Sequence, residues 1–211
     1  MRFPTLLVWR SRVQAMRSSR LEAFSDGVLA IIITIMVLEL KTPEGPTLKD
    51  LQPSLSSLGT YLLSFVYVGI YWNNHHHMFQ LVRRITGAVL WANLALLFML
   101  SLFPFTTGWM DESGFAKTPM IVYGVNLFAA AVAFTILQRT IIAAEGDDSL
   151  LRDAIQSDAK GKASPVLYAA GIGMSFVSPW IGLALYTVVA VMWLVPDPRL
   201  ERYLREHAVS D

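Results

Sequence analysis

The composition of this chain is that of a membrane protein. Of its 211 residues, 54% are hydrophobic and 16% are charged, whereas charged residues make up about 25% of an average soluble domain. The net charge of +1 gives no sign of a nucleic-acid partner, and the absence of cysteine excludes disulfide bonds and thiolate metal sites.

Long apolar runs, separated by clusters of charged residues, account for this composition. Each run is close to the ~20 residues that an α-helix needs to cross a bilayer core. Inside lipid every backbone polar group must find a partner within the protein, and this requirement favours helices. We therefore predict an all-α, multi-pass protein of the cell (inner) membrane, surrounded by lipid.

Six membrane spans are predicted. The first four cover 21–40, 54–74, 86–107 and 119–143, and the last two lie within 165–195, separated near Ser178-Pro179-Trp180. Residues 1–19 are expected to form a cytoplasmic arm, because their apolar patch is too short to span a membrane and no cleavage site follows it. Residues 20–196 then form one six-helix transmembrane domain, and 197–211 form a cytoplasmic tail.

The distribution of lysine and arginine predicts the orientation of these spans. With the N-terminus inside, fourteen of these residues fall in cytoplasmic segments, and only Lys41, Lys49 and Lys117 fall outside. This bias requires that the 165–195 stretch cross twice, since a single crossing would place three C-terminal arginines outside. Both termini are therefore predicted to be cytoplasmic.

Two groups of polar residues lie where lipid is expected. Asp26 is more than one turn inside the first span, where a lone carboxylate needs a cation or a hydrogen-bond donor. Because the first two helices run antiparallel, His75, His76 and His77 should reach the same depth. We predict a buried polar cluster that joins Ser25 and Asp26 to one or more of these histidines, as a structural lock or as a site that handles protons or ions.

The same residues give little indication of metal or enzyme chemistry. Three consecutive histidines point in three directions on a helix, whereas the ligands of one metal ion need spacings of three or four. Ser25 lacks a strand-turn-helix elbow, and the sequence has no phosphate-binding glycine loop. We expect neither an enzyme nor a bound metal or cofactor.

The first helix also has a continuous apolar side. At about 100° per residue, this side contains Phe24, Gly27, Val28, Ile31, Thr34, Ile35 and Leu38. Asp26 lies ~140° from Ile31 and is predicted to point toward the rest of its own subunit. Lipid contact, helix packing and the lining of a pore that closes by dewetting all require such a side, and periodicity does not distinguish them.

The start of the first helix resembles a known family. Arg20-Leu21-Glu22-Ala23-Phe24-Ser25-Asp26 is similar to the Arg-x-x-x-Phe-Ser-Asp signature of the lysosomal potassium channel family and its bacterial homologues. Tyr71-Trp72-Asn73-Asn74-His75-His76 resembles the Trp-x-x-His region that ends the second helix of those proteins. The resemblance implies a tetrameric channel that is permeable to K⁺ and has helix 1 of each subunit around the pore.

The resemblance also assigns roles to individual residues. Ile31, Ile35 and Leu38 would form hydrophobic rings in the pore, with Thr34 beside the constriction. These rings would replace a carbonyl filter, since the sequence has no Thr-Val-Gly-Tyr-Gly segment. A polar lock would hold helix 1 against the bundle, formed by Arg20, Phe24, Ser25, Asp26, Trp72, His75, His76 and His77.

A proton-coupled or secondary transporter that uses Asp26 and His75–His77 is the alternative function. Such transporters are usually built from internal repeats or broken helices. Neither feature is evident in the sequence, so the channel is the favoured interpretation.

Overall fold

The structure is a computed structural model that describes residues 5–154 and 159–194, with side chains from residue 18 onward except at 148, 153 and 154. Every regular element in these ranges is helical, which confirms the predicted all-helical class. The predicted tail, 197–211, lies outside the described residues. The helices are α1 (Thr5–Leu38), α2 (Leu55–Gln80), α3 (Gly87–Ser101), α4 (Phe103–Glu112), α5 (Lys117–Glu145), α6 (Leu150–Ala154), α7 (Ala159–Ser175) and α8 (Pro179–Leu194).

Four helical stretches among the described residues are long and apolar enough to cross a membrane. They are Ser18–Leu38, Gln52–Gln80, Gly87–Glu112 and Lys117–Glu145, and each overlaps one of the first four predicted spans. The shorter helices α7 and α8 have 17 and 16 residues and are divided at 176–178, next to the predicted break. Six crossings and the orientation of the termini stay predictions.

Several helix boundaries differ from those predicted. α1 begins at Thr5, so the predicted arm continues into the first span as one helix. The third span is broken at Leu102 into α3 and α4, because Pro104 has no N–H to donate to the carbonyl four residues earlier. α4 then runs to Glu112, beyond the predicted end at 107.

Buried aromatic rings occupy the centre of the bundle. Tyr67 on α2, Phe103 on α4, Tyr123 on α5 and Tyr186 on α8 are all fully buried. The Tyr67 ring meets Phe103 edge-on at 6.4 Å between centroids, and its hydroxyl donates to the backbone carbonyl of Tyr186. α1 packs outside this centre, against α2, α3 and α4.

The contact between α7 and α8 depends on small residues. Ser175 Oγ donates to the Gly171 carbonyl at 2.7 Å. A Cβ atom added at Gly182 would collide with Ser175 Oγ and would lie 3.0 Å from the Gly171 carbonyl oxygen. Small residues of this kind allow helix backbones to approach closely in a membrane.

We expect Gly182→Ala to destabilise the protein by about 1–3 kcal/mol, the usual cost of an overpacked contact. Gly173→Ala is the matched control, because a Cβ atom there would meet nothing within 4 Å. Thermal unfolding in detergent measures both variants, and the shared gain in helix propensity cancels in the comparison. Equal melting temperatures would show that the α7–α8 contact tolerates the methyl group.

Candidate functional site

One side of α1 is packed against the rest of the subunit. The buried positions recur every three or four residues, as a helix face requires, and they are Leu21, Ser25, Leu29, Ile32 and Met36. Four of them are apolar and join the hydrophobic core. Ser25 is polar and fully buried, so its hydroxyl needs partners inside the protein.

The opposite side of α1 is exposed in the single chain. Ile31 is 59% exposed, Ile35 43% and Leu38 82%. Phe24 is also exposed, and so is Thr34, whose Oγ1 donates to the Ile31 carbonyl at 2.8 Å. Most of the apolar side predicted by helical periodicity is therefore exposed in the single chain, apart from Val28, which packs partly against the core. We call Phe24, Ile31, Thr34, Ile35 and Leu38 the free face of α1.

A buried chain of hydrogen bonds links α1 to α2 through α3. Asn93 Nδ2 donates to Ser25 Oγ at 3.0 Å, and Asn93 Oδ1 lies 2.8 Å from His75 Nε2. With the amide in this orientation the oxygen accepts, so His75 carries its proton on Nε2. Ser25 Oγ in turn donates to the Leu21 carbonyl at 2.9 Å. The structure thus brings Ser25 and one of the three histidines together, with Asn93 between them.

Asp26 lies outside this buried chain. Its side chain is exposed and accepts a hydrogen bond from Trp72 Nε1 at 3.0 Å, and the Trp72 ring stacks on His76. Asp26 thus contacts α2 of its own subunit, as predicted, but the prediction that it joins the buried cluster is wrong. Successive residues on a helix point in directions about 100° apart. Because Ser25 faces the interior, Asp26 lies at the edge of the packed side and is exposed.

The remaining predicted lock residues have different surroundings. His76 Nε2 lies 2.9 Å from Gln80 Nε2, within its own helix. The Nδ1 atom of His77 is buried and has no hydrogen-bond partner among the described residues. Arg20 is exposed. No group of three or more potential metal ligands occurs in the described ranges.

The sequence analysis did not identify Asn93 as a member of the polar cluster, although its position in the sequence indicates that it is unusual. It is a lone amide within the strongly apolar helix α3, and a polar side chain inside a span usually has a specific partner. The identity of that partner depends on how α1, α2 and α3 pack. Sequence spacing alone therefore could not supply it.

A cavity of about 760 Å³ lies at the far end of α1. Its wall includes Glu39, Thr60, Thr107, Asp111 and Glu112, and we call it the Glu39 cavity. Burial, and then the nearby carboxylate of Glu112, raise the pKa of Glu39 above its usual value. Glu39 therefore takes up a proton at a higher pH than a glutamate with the usual pKa.

Four membrane-length helices, one of them with an open apolar face, define a multi-pass membrane protein. A family model described as "Endosomal/lysosomal potassium channel TMEM175" matches residues 20–104, which contain Ser25, His75 and Asn93. The chain belongs to this TMEM175 family of ion channels, as the motif in the first helix predicted.

Two relatives and one solved structure illustrate the similarity. A potassium channel from Chryseobacterium sp. (strain P1-3) is 54% identical over 192 residues, which cover 91% of this chain and 100% of that protein. The endosomal/lysosomal proton channel TMEM175 of Danio rerio is 32% identical over 146 residues, 66% of this chain and 27% of that protein. The crystal structure of a lysosomal potassium-selective channel TMEM175 homolog from Chamaesiphon minutus superposes with a TM-score of 0.72 at 32% identity, covering 85% of this chain and 97% of that one. These proteins are ion channels, which supports the expectation that the chain is not an enzyme.

Proposed function

We propose that this protein is a potassium-permeable cation channel in which four copies of the chain surround a pore lined by α1. The observation that carries the proposal is the free face of α1, an apolar side left open on a helix whose opposite side is packed. Because the chain belongs to a family of potassium channels, this face is a candidate for the lining of a pore. In a tetramer the four copies of this face would surround the pore instead of contacting lipid.

Selectivity in this proposal comes from the free face itself. Rings of Ile31, Ile35 and Leu38 narrow the pore and exclude water, so an ion must lose part of its hydration shell. Thr34 supports this role, because its hydroxyl donates to the Ile31 carbonyl and so keeps its oxygen lone pairs for a cation. A barrier of this kind discriminates modestly and conducts slowly compared with a carbonyl filter.

The buried chain Ser25–Asn93–His75 is proposed to act as the lock that sets the position of α1. Three neutral, fully buried groups that satisfy one another suit a structural role. The transporter alternative requires Asp26 to exchange protons or ions with the histidines. It is less well supported, because Asp26 contacts Trp72 and not the Asn93-bonded His75.

We further propose six crossings of the cell membrane, with both termini and the Arg83–Arg84 turn in the cytoplasm. Helices of 17 and 16 residues, such as α7 and α8, are about 24–26 Å long. This is a little less than the ~30 Å core of a bilayer. If α7 and α8 each cross the membrane, most lysine and arginine residues lie on the cytoplasmic side.

Single cysteines test this topology well, because the natural sequence has none. We expect Lys49→Cys and Val177→Cys to react with a membrane-impermeant thiol reagent on intact cells. Arg84→Cys should react only after the membrane is permeabilised. Labelling of Val177→Cys only after permeabilisation would contradict the two crossings by α7 and α8.

Recording purified protein in planar bilayers under opposed K⁺ and Na⁺ gradients tests the function. We expect discrete openings whose currents reverse toward the potassium potential. Smooth, saturable uptake without openings would instead favour the transporter. Native mass spectrometry of the same preparation tests the subunit number, and a mass other than that of four chains would contradict the tetramer.

A further inference from the structure

A small cavity lies between α2, α5, α7 and α8, apart from the free face of α1. Five aromatic side chains line it, and they are Tyr67, Tyr71, Phe134, Tyr168 and Trp193. The rings of Tyr71 and Phe134 meet edge-on at 6.0 Å between centroids, and those of Tyr67 and Tyr168 lie 6.3 Å apart. We call this space the aromatic cavity. Because the face of an aromatic ring carries partial negative charge, the wall of the cavity is both apolar and attractive to cations.

The polar groups on this wall offer mainly hydrogen-bond acceptors. Asn74 Nδ2, Thr135 Oγ1 and Ser164 Oγ each donate to the carbonyl four residues earlier in the same helix, at 2.8, 2.9 and 2.7 Å. A hydroxyl has only one proton, so Thr135 and Ser164 have only lone pairs left, and Asn74 keeps its Oδ1 as an acceptor. Ser164 Oγ also accepts from Trp193 Nε1 at 2.8 Å, which leaves it one lone pair. The wall therefore suits a ligand that brings its own donors.

The volume of the aromatic cavity limits the size of that ligand. It measures about 50 Å³, and a water molecule needs about 10–15 Å³ of such space. The cavity therefore has room for about three to five atoms of that size. Several residues of the wall, among them Asn74, Thr135 and Trp193, are only half-buried, so a ligand can reach the cavity from outside the fold.

We propose that the aromatic cavity binds a small primary alkylammonium ion, such as methylammonium or ethylammonium. The ammonium group of such an ion has N–H donors for the lone pairs of Thr135, Ser164 and Asn74, and its short alkyl group packs against the rings. A cation within about 6 Å of the centre of an aromatic ring is attracted to the face of that ring, and aromatic cages bind alkylammonium ions in this way. One such contact is already present, since Lys160 Nζ lies 6.0 Å from the centroid of the Trp193 ring.

The same features make other small molecules less suitable and set the strength of binding. Ethanol has a single O–H to donate and no charge to interact with the rings. Tetramethylammonium has no N–H, and its bulk leaves no spare room in the cavity. The described residues of the wall include no carboxylate, so the bound ion keeps its charge only because the site is partly open to solvent. The usual limit on binding free energy per atom then restricts the Kd of ethylammonium to about 1 mM or weaker.

Thermal unfolding of the purified full-length protein in detergent tests the proposal, with ethylammonium chloride replacing NaCl at constant ionic strength. A ligand that binds only the folded state raises the melting temperature by mass action, so the titration gives a Kd. At about 100 mM ethylammonium we expect a rise of at least about 2 °C, with smaller shifts for tetramethylammonium chloride and for ethanol. An equal shift with tetramethylammonium or with ethanol would overturn the proposal, because the N–H donors or the charge would then contribute nothing.

Variants of α5 locate the site. Thr135→Val removes an acceptor and Phe134→Leu removes a ring, and each should raise the Kd of ethylammonium at least about fivefold, the loss expected for one hydrogen bond or one cation–π contact. Thr140→Val is the matched control, because Thr140 Oγ1 also donates to the carbonyl four residues earlier, at 2.7 Å, but lies outside the cavity. A Kd that is unchanged in both Thr135→Val and Phe134→Leu would overturn the proposal. So would a loss of binding in Ile31→Phe, because the ion would then occupy the proposed pore.

Discussion

Replacing Ile31 with asparagine should raise the single-channel conductance about tenfold, the effect of lowering the permeation barrier by about 1.4 kcal/mol. Ile31 lies near the middle of the free face and is 59% exposed in the single chain. In the proposed pore its ring repels water, and an amide in its place can bind water and ions. The preference for K⁺ over Na⁺ should weaken at the same time, because ions would retain more of their hydration shells.

Bilayer recording under opposed K⁺ and Na⁺ gradients measures both quantities. Ile31→Ala should change them in the same direction, since it widens the ring without adding a polar group. Ile136→Asn is the matched control, because Ile136 is similarly exposed at 51% but lies on α5. Unchanged currents in Ile31→Asn would remove Ile31 from the pore, and an equal response in Ile136→Asn would show that the effect is not local.

Replacing Asn93 with leucine should destabilise the protein by about 1–3 kcal/mol, the cost of one orphaned buried group. The change leaves His75 Nε2 buried without its partner, whereas Ser25 Oγ loses the Asn93 donor but still donates to the Leu21 carbonyl. The K⁺ current per protein should fall as well, because α1 loses its link to α2. Thermal unfolding in detergent and bilayer recording measure the two effects.

Asn126→Leu is the matched control for Asn93→Leu. Asn126 is also a buried asparagine in an apolar helix, but it makes a single side-chain hydrogen bond, to Thr106 at 3.2 Å, and its Oδ1 has no partner. Asn126→Leu should therefore destabilise the protein less than Asn93→Leu and leave the K⁺ current unchanged. A large loss of current in Asn93→Leu with unchanged stability would argue against a lock and for direct handling of ions or protons by the cluster.

The faces of α1 could be predicted from the sequence because they follow from local geometry. Once a segment is helical, the relation of Ile31 to Ile35 and Leu38 is set by the turn per residue. The same rule fails when it must choose which side is buried. Ser25 and Asp26 are adjacent polar residues, and Ser25 faces inward because it lies between Leu21 and Leu29 on the packed side, where Asn93 of another helix bonds to it.

Tertiary packing also explains the other differences. The break at Leu102 is an exception, because Pro104 marks it in the sequence although the predicted third span ran through it. The hydrogen bond between Ser64 and Tyr123 joins residues 59 positions apart in the chain. Such pairs have no periodic pattern, and a single sequence gives no other indication that they meet.

The position of the Ser25–Asn93–His75 chain near the start of the membrane-length part of α1, Ser18–Leu38, has a mechanical consequence. This end is held by directional bonds, whereas the end near Leu38 borders the open Glu39 cavity. The helix is thus a lever with its pivot at Ser25, and Leu38 lies about 20 Å along the arm. A tilt of about 5° about that pivot moves Leu38 by nearly 2 Å and Phe24 hardly at all. Any change in the width of the proposed pore would therefore begin at the Leu38 end.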